Sequence, residues 1–272
     1  MHSIVILLCA LSCSKHSSQV IPADDPLKSN EHDLVRIVAH RGFWRADKIK
    51  PTANSIASLR SAQEYHLWGS EFDVRLTSDS IPIVYHDDSI NGLRIIDTPL
   101  EVLSTFKLPN GEGIPSLDAF LAEASKDSSL VLVMELKWQY SAEMDSILID
   151  KCIESLNQHN LLYPHRVIFI SFSPDICQRI VQLLPEYTVQ ALFTNMSLDD
   201  LHEMGIKGID YHRDIIISDL DIINNAHRLG MGVNVWTVDD KELLNKLIIS
   251  GVDYITTDDP MLIRSSMLEV GR

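Results

Sequence analysis

Residues 166–193, R-V-I-F-I-S-F-S-P-D-I-C-Q-R-I-V-Q-L-L-P-E-Y-T-V-Q-A-L-F, decide the fold of this chain. The stretch begins and ends with short apolar runs, which predict strands over Arg166–Ser171 and Thr188–Phe193. The segment between them, Ser173–Leu184, has a helical pattern. A strand, a helix and a second strand in this order form the unit from which parallel sheets are built.

The same alternation continues on both sides of this unit. Seven further strands are predicted: Arg36–Ala39, Ser70–Val74, Ile81–Tyr85, Leu130–Leu136, Gly208–Tyr211, Gly232–Thr237 and Tyr254–Thr256. Six further helices are predicted: Asn54–Tyr65 with Asn54 as its N-cap, Ser116–Ala124, Ser141–Gln158, Ser197–Met204, Asp219–Leu229 and Lys241–Ser250. Repeated units over about 240 residues favour an α/β fold of the TIM-type (β/α)8 barrel over a doubly wound sheet.

Nine predicted strands exceed the eight places of such a barrel, so we expect one of them to be peripheral. The segment Asp88–Pro115 shows little regular pattern. We therefore predict that it forms a short insertion after the third strand, over one end of the barrel.

The first 33 residues are predicted to lie outside the folded domain, which would span residues 34–272. The apolar run Ile4–Leu11 is too short to cross a bilayer and fits the core of an export signal over residues 1–13. Cys13 stands where a bacterial lipoprotein would be lipidated, and residues 14–33 read as a flexible tether. We expect an exported protein, membrane-anchored or periplasmic or secreted, with membrane contact only through a lipid anchor at Cys13. A plain cleaved signal and a cytosolic protein are the alternatives.

The overall charge restricts the partners of the chain. The formal net charge is −15, which disfavours nonspecific binding of nucleic acid. An anionic phosphate substrate would also be repelled, so any phosphate site needs local cations.

The four cysteines include no C-x-x-C pair, which argues against a structural zinc site. We expect Cys152 and Cys177 to be free thiols.

Polar residues that are uncommon in strands lie at or near the ends of the first four predicted strands: His40, Arg41, Glu71, Asp73, His86, Glu135 and Lys137. Acidic side chains are poor strand formers and costly to bury without a partner. A single histidine at a strand end is more often structural than catalytic. The coincidence of the whole group is what indicates a function, because the carboxyl ends of barrel strands meet at one mouth.

These residue types predict phosphodiester cleavage. Three carboxylates, from Glu71, Asp73 and Glu135, favour one hard divalent cation, Ca²⁺ or Mg²⁺, over Zn²⁺. His40 and His86 suit acid–base catalysis near neutral pH. One histidine would activate the attacking oxygen and the other would protonate the leaving alcohol. Arg41 would bind a phosphate oxygen and Lys137 would add positive charge.

At these residues the chain resembles the glycerophosphodiester phosphodiesterase family. The matching segments, in the family's order, are A-H-R-G at 39–42, N-S at 54–55, S-E-F-D-V at 70–74, P-I-V-Y-H-D-D at 82–88, M-E-L-K at 134–137, V-W-T-V-D at 235–239 and G-V-D-Y-I-T-T-D-D-P at 251–260. The resemblance implies a TIM-type barrel, His40 and His86 as the acid–base pair, and a divalent cation on the three carboxylates. It also implies that Arg41 and Lys137 face the phosphate and that Trp236 lines the pocket. The implied reaction yields glycerol 3-phosphate and an alcohol.

Two departures from the family pattern bear on the substrate. Ala53 replaces the glutamate of the usual Pro-Glu-Asn-Thr, and Phe43 and Trp44 follow the His-Arg-Gly triplet.

Two alternative functions stay open at this point. A lyase of the phospholipase C or D type would form a cyclic phosphate, and a non-catalytic lipoprotein would only bind phospholipid headgroups.

Overall fold

A computed structural model describes residues 35–46, 51–263 and 265 of the chain. The predicted export signal and tether lie outside the described residues. Eight strands form a parallel barrel: β1 (Arg36–Ala39), β2 (Gly69–Leu76), β6 (Val131–Leu136), β7 (Val167–Ser171), β8 (Thr188–Leu192), β9 (Gly208–His212), β10 (Gly232–Trp236) and β11 (Tyr254–Thr257). The described residues also form three shorter strands: β3 (Pro82–Val84), β4 (Ser89–Ile90) and β5 (Leu93–Arg94). The predicted TIM-type (β/α)8 fold is confirmed.

The first strand closes the barrel, because β1 pairs in parallel with both β11 and β2. Each of the remaining barrel strands pairs in parallel with its neighbour in the order β2, β6, β7, β8, β9, β10, β11. All eight strands therefore end at the same mouth, where the side chains of the connecting loops converge.

Helices alternate with these strands: α1 (Ile56–Glu64), α2 (Leu100–Leu103), α3 (Leu117–Ala124), α4 (Ala142–Gln158), α5 (Pro174–Leu183), α6 (Leu198–Glu203), α7 (Arg213–Ser218), α8 (Asp221–Arg228) and α9 (Lys241–Ile249). All of them except α2, which belongs to the insertion after β3, pack on the outside of the barrel. Serine side chains cap several of them, as Ser116 does for α3 and Ser173 for α5. Such caps satisfy backbone N–H groups that the first helical turn leaves free. The N-cap of α1 is Ser55 and not the predicted Asn54, because the Asn54 side chain is used elsewhere.

Two apolar layers hold the barrel together. Helix residues such as Leu59 and Leu148 pack against outward-facing strand residues in one large cluster. A smaller cluster, containing Val38, Ile168 and Tyr254, fills the barrel interior. Side chains of a strand point alternately outward and inward, so the residues that share the inward face with Val38 and Ile168 reach the mouth of the barrel.

The third predicted strand is the peripheral one. Strand β3 runs antiparallel to β2, with Val74 opposite Val84, and lies outside the barrel circuit. The predicted insertion follows it. Although no regular pattern was evident there, this segment contains a 3-10 turn over Ile95–Asp97, a β4–β5 hairpin and α2, packed on an apolar cluster of its own. These elements are too short to produce a readable periodicity.

The insertion lies against the loop that precedes α1. The backbone N–H of Asn110 donates to Thr52 Oγ1 at 3.2 Å, and the N–H of Ile56 donates to Glu112 Oε2 at 3.1 Å. This contact places the insertion beside the loop that follows β1, at the mouth of the barrel.

No helix among the described residues has the length and apolar character needed to cross a membrane. Cys152 and Cys177 are buried free thiols, as the sequence predicted.

Candidate active site

Three buried carboxylates form a cluster at the mouth of the barrel. Glu71 and Asp73 lie on the inward face of β2, and Glu135 lies directly across from Asp73 on β6. Each offers an oxygen within 4.8 Å of the others. In the described part of the chain this is the one group of at least three acidic, histidine or cysteine side chains with such geometry. The predicted set of ligands is therefore assembled by two neighbouring strands.

Burial and mutual repulsion disturb the protonation of this cluster. Burial, with repulsion from Asp73 and Glu135, raises the pKa of Glu71 well above its usual value. Burial, with repulsion from Asp73, raises the pKa of Glu135 to about 8. Burial would also raise the pKa of Asp73, but the charges of Lys137 and His86 outweigh it, so the pKa of Asp73 is lowered. One carboxylate thus stays ionised while the other two resist losing their protons.

Lys137 supplies the nearest positive charge. Its Nζ lies 2.7 Å from Asp73 Oδ1 and 2.6 Å from Glu135 Oε1, and the side chain is only 10% exposed. Burial alone would lower the pKa of Lys137, but the two carboxylates raise it above its usual value. Arg41 is more distant, with Nε 3.7 Å from Asp73 Oδ2. Both predicted cationic residues therefore border the acidic cluster.

The loop after β1 is bent so that Arg41 reaches the cluster. Arg41 and Gly42 both adopt positive φ, 55° and 77°. The backbone N–H of Arg41 donates to Glu71 Oε2 at 2.7 Å, and that of Gly42 donates to the Glu71 carbonyl at 3.0 Å. A Cβ atom at Gly42 would lie 2.3 Å from Ser58 Oγ. Glycine is therefore required at this position, since both the φ angle and the space exclude a side chain.

Asn54 fixes one of the carboxylates. Its Nδ2 donates to Asp73 Oδ2 at 2.7 Å, and its Oδ1 accepts the backbone N–H of Asp73 at 3.2 Å. The residue is buried and has a φ of 61°, a conformation that asparagine tolerates better than most residues. Sequence reasoning assigned Asn54 to a helix cap and missed this role.

His40 is oriented by an acid from the other end of the chain. Its Nδ1 lies 2.7 Å from Asp258 Oδ1, which leaves Nε2 as the ring nitrogen available to a ligand. Asp258 also accepts hydrogen bonds from Trp44 Nε1 at 3.2 Å and from Arg45 at 3.1 Å. Burial would raise the pKa of Asp258, but the hydrogen bond and charge of His40 outweigh it and lower that pKa.

His86 reaches the same mouth by a different route from the predicted one. It does not end a barrel strand. Because β3 runs back along β2, the residues after Val84 return toward the acidic cluster. His86 Nδ1 lies 2.7 Å from Asp87 Oδ1. Burial lowers the pKa of His86, although the charge of Asp73 opposes this effect.

One cavity of about 130 Å³ joins these groups, and its lining divides into a polar side and a mostly apolar side. The polar side consists of His40, Arg41, Glu71, Asp73, His86, Glu135 and Lys137. The opposite side consists of Ile170, Phe172, Leu192, Asp210, Trp236 and Thr256. All eight residues predicted for the site, including Trp236, therefore line a single cavity.

The two aromatic residues that follow the triplet do not line this cavity. Phe43 is buried in the core, with its ring edge-on to Tyr65 at a centroid distance of 5.0 Å. Trp44 contacts Asp258, as described above, and lies under the guanidinium group of Arg45. Their effect on the site is therefore to support the loop and the His40–Asp258 pair.

Two further acids of the site, Asp258 and Asp210, were missed. Asp258 follows β11 directly, so the strand-end rule that selected His40 would also have selected it. Asp210 lies within β9, and the rarity of acids in strands, which selected Glu71 and Asp73, applies equally to it.

The donor set fits a hard divalent cation. Three carboxylates converge, and among the described residues the ion pairs that they form are with Lys137 and the more distant Arg41. Oxygen ligands of this kind suit Ca²⁺ or Mg²⁺ and give Zn²⁺ none of its usual nitrogen or sulfur donors.

Comparison with known proteins agrees with this architecture. Residues 40–262 match the model of the glycerophosphoryl diester phosphodiesterase family. A glycerophosphodiester phosphodiesterase of Caldanaerobacter subterraneus subsp. tengcongensis is 25% identical over 240 residues, which cover 82% of this chain and 94% of that protein.

Two solved structures are similar in both fold and sequence. A glycerophosphodiester phosphodiesterase from Parabacteroides distasonis superposes with a TM-score of 0.84 at 35% identity, covering 88% of this chain and 99% of that one. An Oleispira antarctica phosphodiesterase in complex with the product sn-glycerol-3-phosphate has a TM-score of 0.75 at 25% identity, covering 86% and 97%.

Proposed function

This chain belongs to the glycerophosphoryl diester phosphodiesterase family, and we propose that it hydrolyses glycerophosphodiesters to glycerol 3-phosphate and an alcohol. We further propose that the reaction requires one divalent cation, Ca²⁺ or Mg²⁺, at Glu71, Asp73 and Glu135, and that His40 and His86 transfer the protons. Support comes from the activity named for the relatives and from the glycerol 3-phosphate bound to the Oleispira protein.

One observation carries the proposal. Three carboxylates, two cationic side chains and two histidines line the same cavity, and each histidine has its Nδ1 against a carboxylate. Both rings therefore have Nε2 left for a proton donor or acceptor. A site that only bound a headgroup would not need two histidines oriented in this way.

The substrate phosphate binds on the polar side of the cavity. Arg41 donates to a phosphate oxygen, and Lys137 adds positive charge next to the carboxylates. These two cations overcome the repulsion from a protein with a net charge of −15. A divalent cation held by Glu71, Asp73 and Glu135 would supply further positive charge to the phosphoryl group.

Proton transfer accompanies the substitution at phosphorus. A water oxygen forms a bond to phosphorus while the bond from phosphorus to the leaving alcohol oxygen breaks. One histidine accepts the proton of the water, and the other donates a proton to the alcohol oxygen. The two rings exchange their protonation states in the reaction, so both are needed for turnover.

The test is an activity assay on a panel that includes glycerophosphocholine and glycerophosphoethanolamine, with Ca²⁺, with Mg²⁺ and with a chelator. We expect activity with at least one cation and loss of about 100-fold or more in His40→Asn and His86→Asn. Asn is chosen because it retains a polar side chain. Wild-type activity no higher than that of both variants on every substrate would contradict the proposal.

Product analysis in ¹⁸O-labelled water separates hydrolysis from the lyase alternative. Hydrolysis places one labelled oxygen in glycerol 3-phosphate from the first turnover. An unlabelled cyclic phosphate would instead identify attack by a hydroxyl of the substrate itself.

We also propose that the protein is exported and held at a membrane through Cys13. The support is the sequence of the first 13 residues, with its short apolar run before a cysteine. Fractionation of cells that express the full chain tests this proposal. Cys13→Ser should move the protein from the membrane fraction to the soluble fraction, and an unchanged distribution would contradict the anchor.

A further inference from the structure

Asp210 is a buried acid of the cavity to which the reaction described above gives no role. It lies on the inward face of β9 and is 2% exposed. Its Oδ1 has no hydrogen-bond partner. Burying a polar atom without a partner is unfavourable, so the position of this side chain calls for an explanation.

The order of the strands places Asp210 opposite the acidic cluster. Strand β9 is four strands away from β2 in either direction around the eight-stranded barrel. Asp210 lines the same cavity as Glu71 and Asp73, yet it does not belong to the three-carboxylate cluster. A ligand that contacts the cluster can therefore extend across the cavity toward Asp210.

The surroundings of Asp210 favour the neutral form of its carboxyl group. The neighbouring lining residues on this side include Leu192 and Trp236. Burial alone raises the pKa of Asp210 to about 8, with no contribution from another charge. A neutral carboxyl group both donates and accepts hydrogen bonds.

Most buried polar side chains with a structural role are paired within the protein. The polar residues on the next two strands show such pairing, because Asn234 Nδ2 donates to Thr256 Oγ1 at 3.0 Å. The main-chain carbonyl of Asp210 accepts a hydrogen bond from Trp236 Nε1 at 2.9 Å. The side chain, by contrast, has one oxygen without a hydrogen-bond partner, and it lines the cavity in which we propose that the substrate binds.

We propose that Asp210 binds a hydroxyl group of the substrate's glycerol moiety and so selects polyol phosphates over phosphates of plain alcohols. This inference rests on the proposed function for the location of the phosphate. With the phosphate held near Arg41 and Lys137, a hydroxyl group on the far side of the cavity meets a carboxyl group that satisfies both its donor and its acceptor. An alkyl group in the same place would leave the carboxyl unpaired.

Binding measurements test this role without requiring turnover. Calorimetry in the presence of MgCl2 compares sn-glycerol 3-phosphate with n-propyl phosphate, which has the same number of carbons but no hydroxyl groups. We expect the wild type to bind glycerol 3-phosphate more tightly, and Asp210→Leu to reduce the ratio of the two affinities by about 10-fold or more, the effect of one buried hydrogen bond. Asp210→Asn, which can still donate and accept, should retain most of the ratio.

The matched control is Asp145→Asn. Asp145 is also a buried acid whose pKa is raised by burial, but it lies on α4 and does not line the cavity. It should leave the ratio unchanged. If Asp210→Leu fails to fold, as judged by thermal unfolding, Asp210→Ala provides the same comparison without added volume.

An unchanged ratio in the Leu or Ala variant would overturn the inference, and so would a wild type that does not prefer glycerol 3-phosphate. The proposed function fails on a different result, namely a wild type that cleaves bis(p-nitrophenyl) phosphate but no glycerophosphodiester. The two failures are therefore distinguishable.

Discussion

His40 Nδ1 lies 2.7 Å from Asp258 Oδ1, although 218 residues separate the two along the chain. The contact forms because β1 and β11 are adjacent strands and both residues follow the ends of these strands. It joins the beginning of the barrel to its end at the point where the reaction is proposed to occur.

Asp258→Asn is expected to reduce kcat by about 10- to 100-fold, the usual effect of losing a group that orients a catalytic side chain. An amide can turn its NH2 toward Nδ1 and hold the ring in the wrong tautomer, as well as remove the negative charge that stabilises the protonated ring. The measurement is kcat and KM over a range of pH. Asp87→Asn is the comparison, because Asp87 is 68% exposed and water can replace its contact with His86. Losses in Asp258→Asn that are as small as those expected for Asp87→Asn would contradict the orienting role of Asp258.

Cation affinity is expected to increase with pH. Glu71 and Glu135 both have raised pKa values, about 8 for Glu135, so below pH 8 a binding cation must displace protons. From pH 8 down to pH 6 the affinity for Mg²⁺ or Ca²⁺ should fall by up to about 10-fold per pH unit for each proton displaced. Calorimetry in buffers of different ionisation enthalpy counts these protons directly. No proton release at pH 7 would show that the carboxyl groups are already ionised.

The same pKa shifts predict how the cation-free protein responds to pH. A carboxyl group whose pKa is raised by folding stabilises the folded state at pH values below its unfolded pKa. That stabilisation is lost as the pH rises through the folded pKa. For Glu135 the loss should occur between about pH 4.5 and pH 8. Thermal unfolding with a chelator should show this decline, and an added divalent cation should reduce it.

Lys137→Met should lower the free energy of unfolding by about 3 kcal/mol in the absence of divalent cations, since it removes one partner of a buried ion pair. Added Ca²⁺ or Mg²⁺ should raise the melting temperature of this variant more than that of the wild type, because the cation then replaces the lost charge. The control is Lys126→Met, whose ammonium group pairs with Glu123 but is 66% exposed. It should change stability by less than about 1 kcal/mol. Similar losses in both variants would mean that Lys137 does not neutralise the cluster.

Gly42→Ala should destabilise the protein by roughly 2 to 5 kcal/mol. Positive φ costs a residue with a Cβ about 1–2 kcal/mol, and the contact with Ser58 adds an overpacking term of about 1–3 kcal/mol. Gly92→Ala separates the two effects, because Gly92 has a φ of 84° but nothing within 4 Å of a new Cβ. Gly92→Ala should therefore lose only the cost of positive φ, about 1–2 kcal/mol of stability. Chemical denaturation of both variants gives the comparison, and equal losses would exclude the packing contribution.

Much of the fold was predictable because its signals are local. Each of the nine predicted strands corresponds to a strand of the structure, with ends that differ by at most two residues. The predicted helix Asp219–Leu229 corresponds to α8, while α7 over Arg213–Ser218 was missed. A helix of six residues is too short to show an apolar periodicity, and the same is true of α2 in the insertion.

The site was predictable in composition and only partly in arrangement. Glu71, Asp73 and Glu135 are brought together because β2 and β6 are neighbours in the barrel. Asn54 escaped prediction because its amide can serve a helix cap or a carboxylate equally well, and only the fold decides between them. Asp210 carries the same sequence signal as Glu71 and Asp73, an acid within a strand, but only the fold places it in the cavity with them.

The sequence by itself determined the alternation of strands and helices, the barrel and the residue types of the site, because these depend on side-chain periodicity within short segments. Tertiary structure alone decided that β3 lies outside the barrel, that the antiparallel pairing of β3 with β2 brings His86 to the cavity, and that Asp258 contacts His40. The physical reason is that such contacts join residues whose separation along the chain carries no local signal. The His40–Asp258 contact forms only when the closing of the barrel brings the ends of β1 and β11 to one mouth.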